Sequence, residues 1–434
     1  MVEKQLADHS IPIGSIKEIL GYNIRNKLAA FVLIFCFCDF VLNAIFNRIM
    51  GEFVGQAFYK MLIVDMVLLL PVTLCSFMCG KKTKSTVWPF YFIIYLSVIL
   101  TWILHPEYTP WFLHDDFGIF SCFFTFSSVI YIPLVFSLFS DERKLFNSIL
   151  VATKIKFCFL VLQYITASIR GYWNIKNYLG IEEQWSYNLA FGYEMVFCSI
   201  VFLITYLYSS KRSYLCLALV CFYTILTAGS RGPWVCVIAM LGFNYLVFWK
   251  KYSINSLKIV KFAGAMGGLL AIVCFAGSTI VEWLISLVTY LNIESRTIDM
   301  LISDYIFDDN GRNALRDAAL TMIDNGWMFG YGVYGDRVVI SEVHFIGYPH
   351  NFFLELFIQF GVIGGGIILG YLFYKVLQMI KLCDNDIYKI LLVIYLSNSV
   401  KLLISDSFWY NGAFWSLIAV LIIWNWQQKR SSKI

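Results

Sequence analysis

Arginines stand at several positions in this sequence where a guanidinium group could bind phosphate. Arg231 lies in the tight turn GSRGP between two apolar stretches. Arg312 and Arg316 are four residues apart, so they share one face of the helix predicted for DDNGRNALRDAALTMIDNG. Arg337 follows in YGDR. A planar guanidinium group can bind two phosphate oxygens at once, and the set therefore predicts a site for a phosphorylated ligand.

Each of these arginines also has a structural alternative. Arg231 could extend toward lipid headgroups or simply serve its turn. The helical arginines could form weak surface ion pairs with Asp308, Asp309 or Asp317. The glycines around Arg231 favour binding there, whereas the sequence leaves the choice open for Arg316.

A histidine and an asparagine precede a long apolar run in YPHNFFLEL. Pro349 is typical of a helix start, so we expect His350 in the first helical turn, where the helix dipole favours a neutral imidazole. Such an imidazole can exchange a proton near pH 7, although an interfacial side chain without a chemical role is the alternative. Asn351 is next, and Glu355 lies deeper in the run. Like Glu194 in FGYE, Glu355 is a carboxylate at membrane depth, which usually faces the protein interior.

The elements that must position these residues are strongly apolar. The chain is 59% hydrophobic and 14% charged, whereas soluble domains carry about 25% charged residues. Continuous apolar stretches of roughly 17–25 residues span a bilayer as helices, not as barrel strands. We therefore predict an all-α polytopic membrane protein with about twelve transmembrane helices. The predicted spans are 29–46, 61–79, 88–104, 117–139, 145–168, 187–208, 213–228, 233–249, 262–278, 351–374, 387–405 and 412–426.

Basic residues concentrate in alternate loops, as in KKTK at 81–84 and KKYSINSLKIVK at 250–261. This pattern places both termini in the cytoplasm. It predicts a cytoplasmic segment (1–28), helices one to nine (29–278), a large outside loop with short helices (279–350), and helices ten to twelve with a cytoplasmic tail (351–434). The fifth span contains Lys154 and Lys156, so an interfacial helix followed by a short span is the alternative there.

Glycines supply two further expectations. Gly326, Gly330, Gly332 and Gly335 alternate with aromatic residues in a stretch that we expect to be loop, and they allow its backbone to approach another element closely. The glycines in GVIGGGIILG, by contrast, have the small-residue spacing of packed membrane helices. Acidic pairs in the outside segments are better explained by helix capping than by cation binding, so we predict no obligatory metal.

Three of these motifs in combination resemble the O-antigen and capsule polymerase/ligase family of integral membrane enzymes. AGSRGPW (228–234) resembles the family's Gly-Ser-Arg-Gly turn between two spans. NGRNALRDAALTMIDNGWMFGYGVYGDR resembles its Gly-Arg…Asp-Asn-Pro…Gly-x-Gly stretch, with Gly326-Trp327 departing from the proline. YPHNFFLELFIQFGVIGG resembles its His-Asn motif followed by Gly-x-x-Gly, and YNLAFGYE (187–194) resembles a segment of capsule-type polymerases.

The resemblance implies a GT-C-like, metal-independent glycosyltransferase of the bacterial inner membrane, with its site facing the periplasm and no cofactor. Donor and acceptor would be glycans linked to undecaprenyl diphosphate. Further partners would be membrane lipids and a chain-length regulator protein, with no nucleic acid. A polymerase joining repeat units into O-antigen or capsular polysaccharide is favoured. The alternatives are a ligase transferring the glycan to lipid A core and a lipid-linked oligosaccharide transporter.

The resemblance also implies roles for the candidate residues. Arg231 and Arg312 would stabilise the leaving diphosphate, and His350 would orient or deprotonate the attacking hydroxyl. The remaining candidates would bind substrate or hold the local geometry: Arg316, Arg337, Asn351, Glu194 and Glu355.

Overall fold

The computed structural model describes residues 13–38, 72–74, 76, 80–114, 118–119, 122, 129–176, 182–185, 188–228, 232–249, 312–344 and 347–431. Arg231, the predicted ninth span (262–278) and most of the predicted second span (61–79) lie outside these residues. The helices are α1 (Ile13–Phe37), α2 (Gly80–Leu104), α3 (Thr109–Phe112), α4 (Ile132–Leu138), α5 (Glu142–Arg170), α6 (Leu189–Ser209), α7 (Arg212–Ala228), α8 (Gly232–Val247), α9 (Arg312–Asn325), α10 (Gly335–Val343), α11 (Phe352–Leu382), α12 (Asp386–Ser399) and α13 (Gly412–Ser431).

Short elements complete the described chain. Strands β1 (Trp173–Lys176) and β2 (Glu182–Trp185) form an antiparallel hairpin between α5 and α6. Single turns of 3-10 helix occur at Pro106–Tyr108, Val129–Tyr131 and Val400–Leu403. Asparagine caps begin three of the main helices, because each side chain accepts hydrogen bonds from backbone N–H groups of the first turn. These caps are Asn188 for α6, Asn351 for α11 and Asn385 for α12.

Four described helices are long and apolar enough to cross a membrane. They cover Ser85–Leu104 in α2, and α5, α6 and α11, while α7 and α8 are shorter apolar helices. The protein is therefore a helical membrane protein, as the composition predicts, with one small hairpin in addition. The count of about twelve spans and the cytoplasmic termini stay predictions.

The predicted fifth span is one continuous helix of 29 residues, α5. Lys156 is buried and pairs with Glu194 of α6, whereas Lys154 is exposed and its Nζ lies 5.4 Å from the ring centre of Tyr214 in α7. The continuous helix favours a single span here, and its position in the membrane stays a prediction.

The main core lies where α6, α8, α12, α13 and α4 pack together. Phe202, Ile394, Leu134 and Trp424 are fully or almost fully buried there. One end of this bundle is joined by a hydrogen bond of 2.7 Å between Asn385 and Glu142, which are close to the first residues of α12 and α5. The candidate residues lie at the opposite end.

Helix α11 is broken near its middle at Gly361, which has φ 66° and ψ 175°. The carbonyls of Ile358 and Gln359 accept hydrogen bonds of 2.8 Å from the backbone N–H groups of Tyr331 and Gly332. A break at membrane depth needs protein partners for its backbone groups. The stretch between α9 and α10 supplies them, and it is thereby fixed to α11.

Glycines make this contact possible, as the sequence predicts. A Cβ at Gly330, which has φ +72°, would overlap the backbone of Gly361, and a Cβ at Gly332 would meet the side chain of Thr101. The expectation that Gly335 belongs to a loop is wrong, because Gly335 begins α10. Gly361 therefore contacts this stretch of chain instead of a packed membrane helix.

Replacing Gly361 with alanine is expected to lower the free energy of unfolding by about 1–3 kcal/mol or more. Its backbone lies in a region that is essentially restricted to glycine, and a Cβ would overlap the carbonyl of Met328. Gly366 of the same helix offers a matched control, since a Cβ there meets nothing within 4 Å among the described residues. Gly366→Ala should leave the thermal unfolding temperature of the purified protein unchanged or slightly raised. Equal unfolding temperatures for the two variants would contradict this account of the break.

Candidate functional site

Arg312 is the first residue of α9, and its side chain is exposed. It forms no ion pair with any residue that the structure describes. Its positive charge acts on His350 and on the hydroxyl of Tyr193 in α6. The side chain is thus an exposed cation whose charge reaches an imidazole and a phenol.

Arg231 lies outside the described residues, but Gly232, which follows it, begins α8. Gly232 packs so closely on Tyr193 that a Cβ would overlap the tyrosine hydroxyl. The positive charge of Arg312 also acts electrostatically on Tyr193. The start of α8 and the start of α9 therefore share Tyr193 as a neighbour, although the sequence separates them widely.

His350 stands just before α11 and not in its first turn, so the sequence prediction for its position is wrong. Asn351 is the N-cap, and its side chain accepts hydrogen bonds from Phe353 (3.0 Å) and Leu354 (3.3 Å). His350 itself has φ 52°, a conformation that few residues other than glycine adopt. Because the asparagine is the stronger capping residue, the helix begins two residues after His350.

The half-buried ring of His350 packs edge-on against two aromatic neighbours. The ring centres lie 4.6 Å from Tyr348 and 5.6 Å from His344. Burial is the main cause that lowers the pKa of His350 to about 4; the charges of His344 and Arg312 add to the shift, while the backbone of Ser405 and the charge of Asp406 oppose it. The imidazole is therefore neutral at pH 7, as predicted, but burial is the main cause instead of a helix dipole.

The dependence of protein stability on acidic pH tests this burial of His350. Between pH 6.5, the ordinary pKa of histidine, and about 4 the unfolded chain binds the proton that folded His350 excludes. The folded state therefore loses stability as the pH falls through this window, and His350 contributes no pH dependence above it. His350→Gln is expected to flatten the fall in unfolding temperature across the window. His344→Gln should flatten it less, because burial alone lowers that pKa and the side chain is less buried. An unchanged profile in His350→Gln would contradict the assignment.

Arg337 is fully buried and lies among carboxylates. It pairs with Asp336 and, at 3.0 Å, with Glu355 of α11, and its guanidinium carbon lies 4.5 Å from the ring centre of Tyr334. Burial alone would lower the pKa of Arg337, but the two carboxylates raise it above its ordinary value, so the group stays charged. A side chain with no exposed surface does not fit the expected direct contact with substrate. The geometry gives Arg337 a positioning role.

Glu355 is likewise fully buried, and its contacts explain what is positioned. Its carboxylate accepts hydrogen bonds from the Ser407 hydroxyl (2.5 Å) and the Phe408 backbone (3.2 Å). Ser407 and Phe408 belong to the link between α12 and α13. Trp409 of the same link donates a hydrogen bond of 3.0 Å from its Nε1 to the side-chain oxygen of Gln359 in α11. The buried cluster thus ties α10, α11 and this link together, and Glu355 also does not fit direct substrate contact.

A cavity of about 180 Å³ lies inside the same end of the bundle. Two lysine–carboxylate pairs line it, Lys156 with Glu194 and Lys401 with Asp406, the second at 2.9 Å. Tyr193 lines it as well, and the Nζ of Lys401 lies 4.7 Å from the centre of its ring. The positive charge of Arg312 acts electrostatically on Tyr193, and the backbone of Ser405, next to Asp406, interacts with His350, although neither Arg312 nor His350 lines the cavity.

Sequence reasoning places Glu194 in this region but misses Asp406 and Tyr193. The segment SDSFWYNG, in which polar residues flank three consecutive aromatic residues at the end of an apolar span, is the signal that could have identified Asp406. The sequence leaves Lys156 and Lys401 two roles, pairing with an acid or extending toward lipid headgroups, and the structure pairs both with acids.

Arg316 lies one turn after Arg312 on the surface of α9. Its Nε is 3.7 Å from a carboxylate oxygen of Asp317, and both side chains are more than half exposed. Such a pair contributes little to stability. The structure places Arg316 near Arg312 in the chain, but it gives no contact between Arg316 and the cavity or His350.

Part of this protein matches a known protein family. Residues 216–369 match the profile of the O-antigen ligase family. The match covers about a third of the chain and is consistent with the O-antigen polymerase/ligase superfamily. It contains the three motifs from which the resemblance is drawn, together with Arg231, Arg312, Arg316, Arg337, His350, Asn351 and Glu355. Glu194, Lys401 and Asp406 lie outside the matched residues. A comparison with curated proteins gives no match.

Proposed function

We propose that the protein is a polymerase that joins undecaprenyl-diphosphate-linked oligosaccharide repeat units into O-antigen or capsular polysaccharide. It would work at the periplasmic face of the bacterial inner membrane, with residues 279–350 forming a loop on that side. The observation that carries the proposal is the neighbourhood of Tyr193. Gly232 of the GSRG turn contacts this tyrosine, the positive charge of Arg312 acts on it electrostatically, and it lines a cavity together with Asp406, whose neighbour Ser405 interacts with His350 through its backbone.

The chemistry follows from these groups. A hydroxyl oxygen of the acceptor sugar attacks the anomeric carbon of the donor and forms the new glycosidic bond. The bond from that carbon to the diphosphate oxygen breaks, and its electron pair leaves with the diphosphate. Arg231 and Arg312 stabilise the growing negative charge, because guanidinium groups can bind two oxygens each.

His350 accepts the hydroxyl proton in this proposal. It is neutral at pH 7 before substrate binds, since its pKa is about 4. Bound diphosphate offsets the charge of Arg312, which raises the pKa of His350 and makes it a better base at the moment of attack. Asn351 fixes the helix start behind it, while Arg337 and Glu355 hold the surrounding segments in place.

The cavity suits the acceptor sugar. Its charges are paired, so it offers hydrogen-bond donors and acceptors without a net attraction for an ion, which matches a neutral, hydroxyl-rich ligand. Glu194 and Asp406 would accept hydrogen bonds from sugar hydroxyls there. Arg316, being exposed, would add to the attraction of the anionic donor.

A ligase that transfers the finished glycan to lipid A core is the second candidate, and the description of the matched family favours it. The two activities share the donor and differ in the acceptor. YPHNFFLEL, GYGVYGDR and FGYE favour the polymerase by their likeness to polymerases of the family.

Deleting the gene distinguishes the candidates in the glycans that cells make. Loss of a polymerase leaves lipid A core carrying a single repeat unit, or no long capsular chain. Loss of a ligase leaves bare core and long chains that accumulate on the lipid carrier. Loss of a transporter leaves repeat units on the cytoplasmic side, and either of the last two results would contradict the proposal.

A further inference from the structure

Aromatic rings recur at every third residue in the link that follows α2. His105, Tyr108, Trp111 and His114 form this series, here called the aromatic ladder. The link begins with the 3-10 turn Pro106–Tyr108 and continues into α3. Side chains three residues apart are aligned in a 3-10 helix. Accordingly His105 stacks on Tyr108 with ring centres 4.9 Å apart and planes inclined by 8°, and Trp111 stacks on His114 at 5.5 Å and 11°.

The aromatic ladder is packed against the loop segments of the candidate site. A Cβ at Gly347 would lie 3.1 Å from the Trp111 ring and 3.2 Å from the side chain of Arg337. A Cβ at Gly335 would lie 3.3 Å from the Tyr108 hydroxyl. Gly347 precedes His350 by three residues. The aromatic ladder therefore contacts the segment that leads to His350 and the start of α10.

The other edge of the ladder is open to solvent. His114 is exposed, Trp111 is partly exposed, and the side chains of the His105–Glu107 pair, 2.9 Å apart, are 38% and 59% exposed. Tyr108 is buried, so the rings that can meet a ligand are those of His105, Trp111 and His114, which extend over roughly 15 Å at the rise of helical turns. This combination of flat rings with imidazole and carboxylate groups fits carbohydrate, whose C–H faces stack on aromatic rings while its hydroxyls form hydrogen bonds.

A membrane-interface belt of aromatic residues is the competing explanation, and it is less consistent with the contacts. Belt residues lie against lipid headgroups at the perimeter of a bundle. Trp111 and Tyr108 instead lie against Gly347 and Gly335 of the protein. The turn is also held from inside, since the Trp102 Nε1 donates to the Thr109 hydroxyl at 2.9 Å.

We propose that the aromatic ladder is a subsite for the glycan chain, binding sugar residues beyond the one that reacts. The inference rests on the proposed function and adds to it a preference for long glycans. A donor with several repeat units reaches the ladder while its diphosphate occupies the site, whereas a donor with one repeat gains less from it.

The test uses the purified full-length protein in lipid vesicles, with lipid-linked glycans of one repeat and of several repeats as donors. Trp111→Ala is expected to raise KM for the longer donor by roughly five- to tenfold, the effect of one lost aromatic contact, and to leave KM for the single-repeat donor unchanged. His114→Ala should act in the same direction, and Trp111→Phe should restore most of the preference. Trp249→Ala, which removes an exposed indole two residues after the end of α8, is the control and should change neither value.

Each outcome decides between the explanations. Equal losses for both donors in Trp111→Ala, or reduced insertion of the protein into vesicles, would overturn the subsite and favour packing or membrane anchoring. Equal KM values for variant and wild type would overturn it as well. Failure of the proposed function is a separate result, because wild-type protein would then transfer neither donor.

Discussion

Replacing Arg312 with alanine is expected to lower the rate of glycan transfer by about 100- to 1,000-fold, the usual loss when one group that stabilises developing negative charge is removed. Arg312 is exposed, forms no ion pair among the described residues, and acts on both His350 and Tyr193. The folded state does not depend on it, so the unfolding temperature should stay unchanged. The measurement is the initial rate of chain formation by purified protein in vesicles.

Two further kinds of variant test whether the loss of activity is specific to the guanidinium group of Arg312. Arg170→Ala removes another exposed arginine, at the end of α5, and should retain full activity. Lysine at position 312 or 231 should restore only part of the rate, because an ammonium group cannot bind two oxygens in one plane. Full activity in Arg312→Ala would remove Arg312 from the proposed mechanism, and full rescue by lysine would reduce its role to a general positive charge.

Replacing Arg337 with alanine is expected to destabilise the fold by about 3–5 kcal/mol, because it leaves the carboxylates of Asp336 and Glu355 buried without their cation. The link that Glu355 holds through Ser407 and Phe408 should then loosen. Thermal unfolding of the purified protein measures the loss directly.

Arg316→Ala is the matched control for Arg337→Ala. Arg316 belongs to the neighbouring helix α9, and its pair with Asp317 is exposed, so its removal should change stability by less than about 1 kcal/mol. Similar unfolding temperatures for the two variants would show that the buried cluster contributes little. A fold-neutral Arg337→Ala that still lost activity would instead restore the direct substrate contact expected from sequence.

The extent of the helices could be read from hydropathy, because a bilayer requires long apolar stretches. Helices α5, α6 and α8 begin and end within a few residues of the predicted spans. The close approach of Gly330 and Gly332 to another element was also predictable, since glycine spacing shows where side chains are excluded. Which element they approach was not, because the break at Gly361 is satisfied only by the backbone of a distant segment.

Some features of the candidate site could likewise be predicted from the sequence, and others could not. The position of Arg312 near the start of its helix could be predicted from the sequence, while its role stays a prediction. The burial of Arg337 could not be predicted, because its partner Glu355 lies on another helix and depends on tertiary packing. His350 was expected inside the first turn of α11, whereas the helix begins two residues after it, since a proline signal was given more weight than the capping ability of Asn351. Asp406 was missed because its partner Lys401 and its neighbour Tyr193 converge only in the folded chain.

Chemical cross-linking tests the convergence of the arginine sites most directly. Ser230→Cys and Asn313→Cys, each next to one of the two arginines, would be combined in a protein whose own cysteines are replaced and whose activity is retained. A short bifunctional maleimide should join the two positions within one chain, and undecaprenyl diphosphate should slow the reaction by occupying the space between them. Absence of the cross-link, or a cross-link that the lipid diphosphate does not affect, would contradict a shared site.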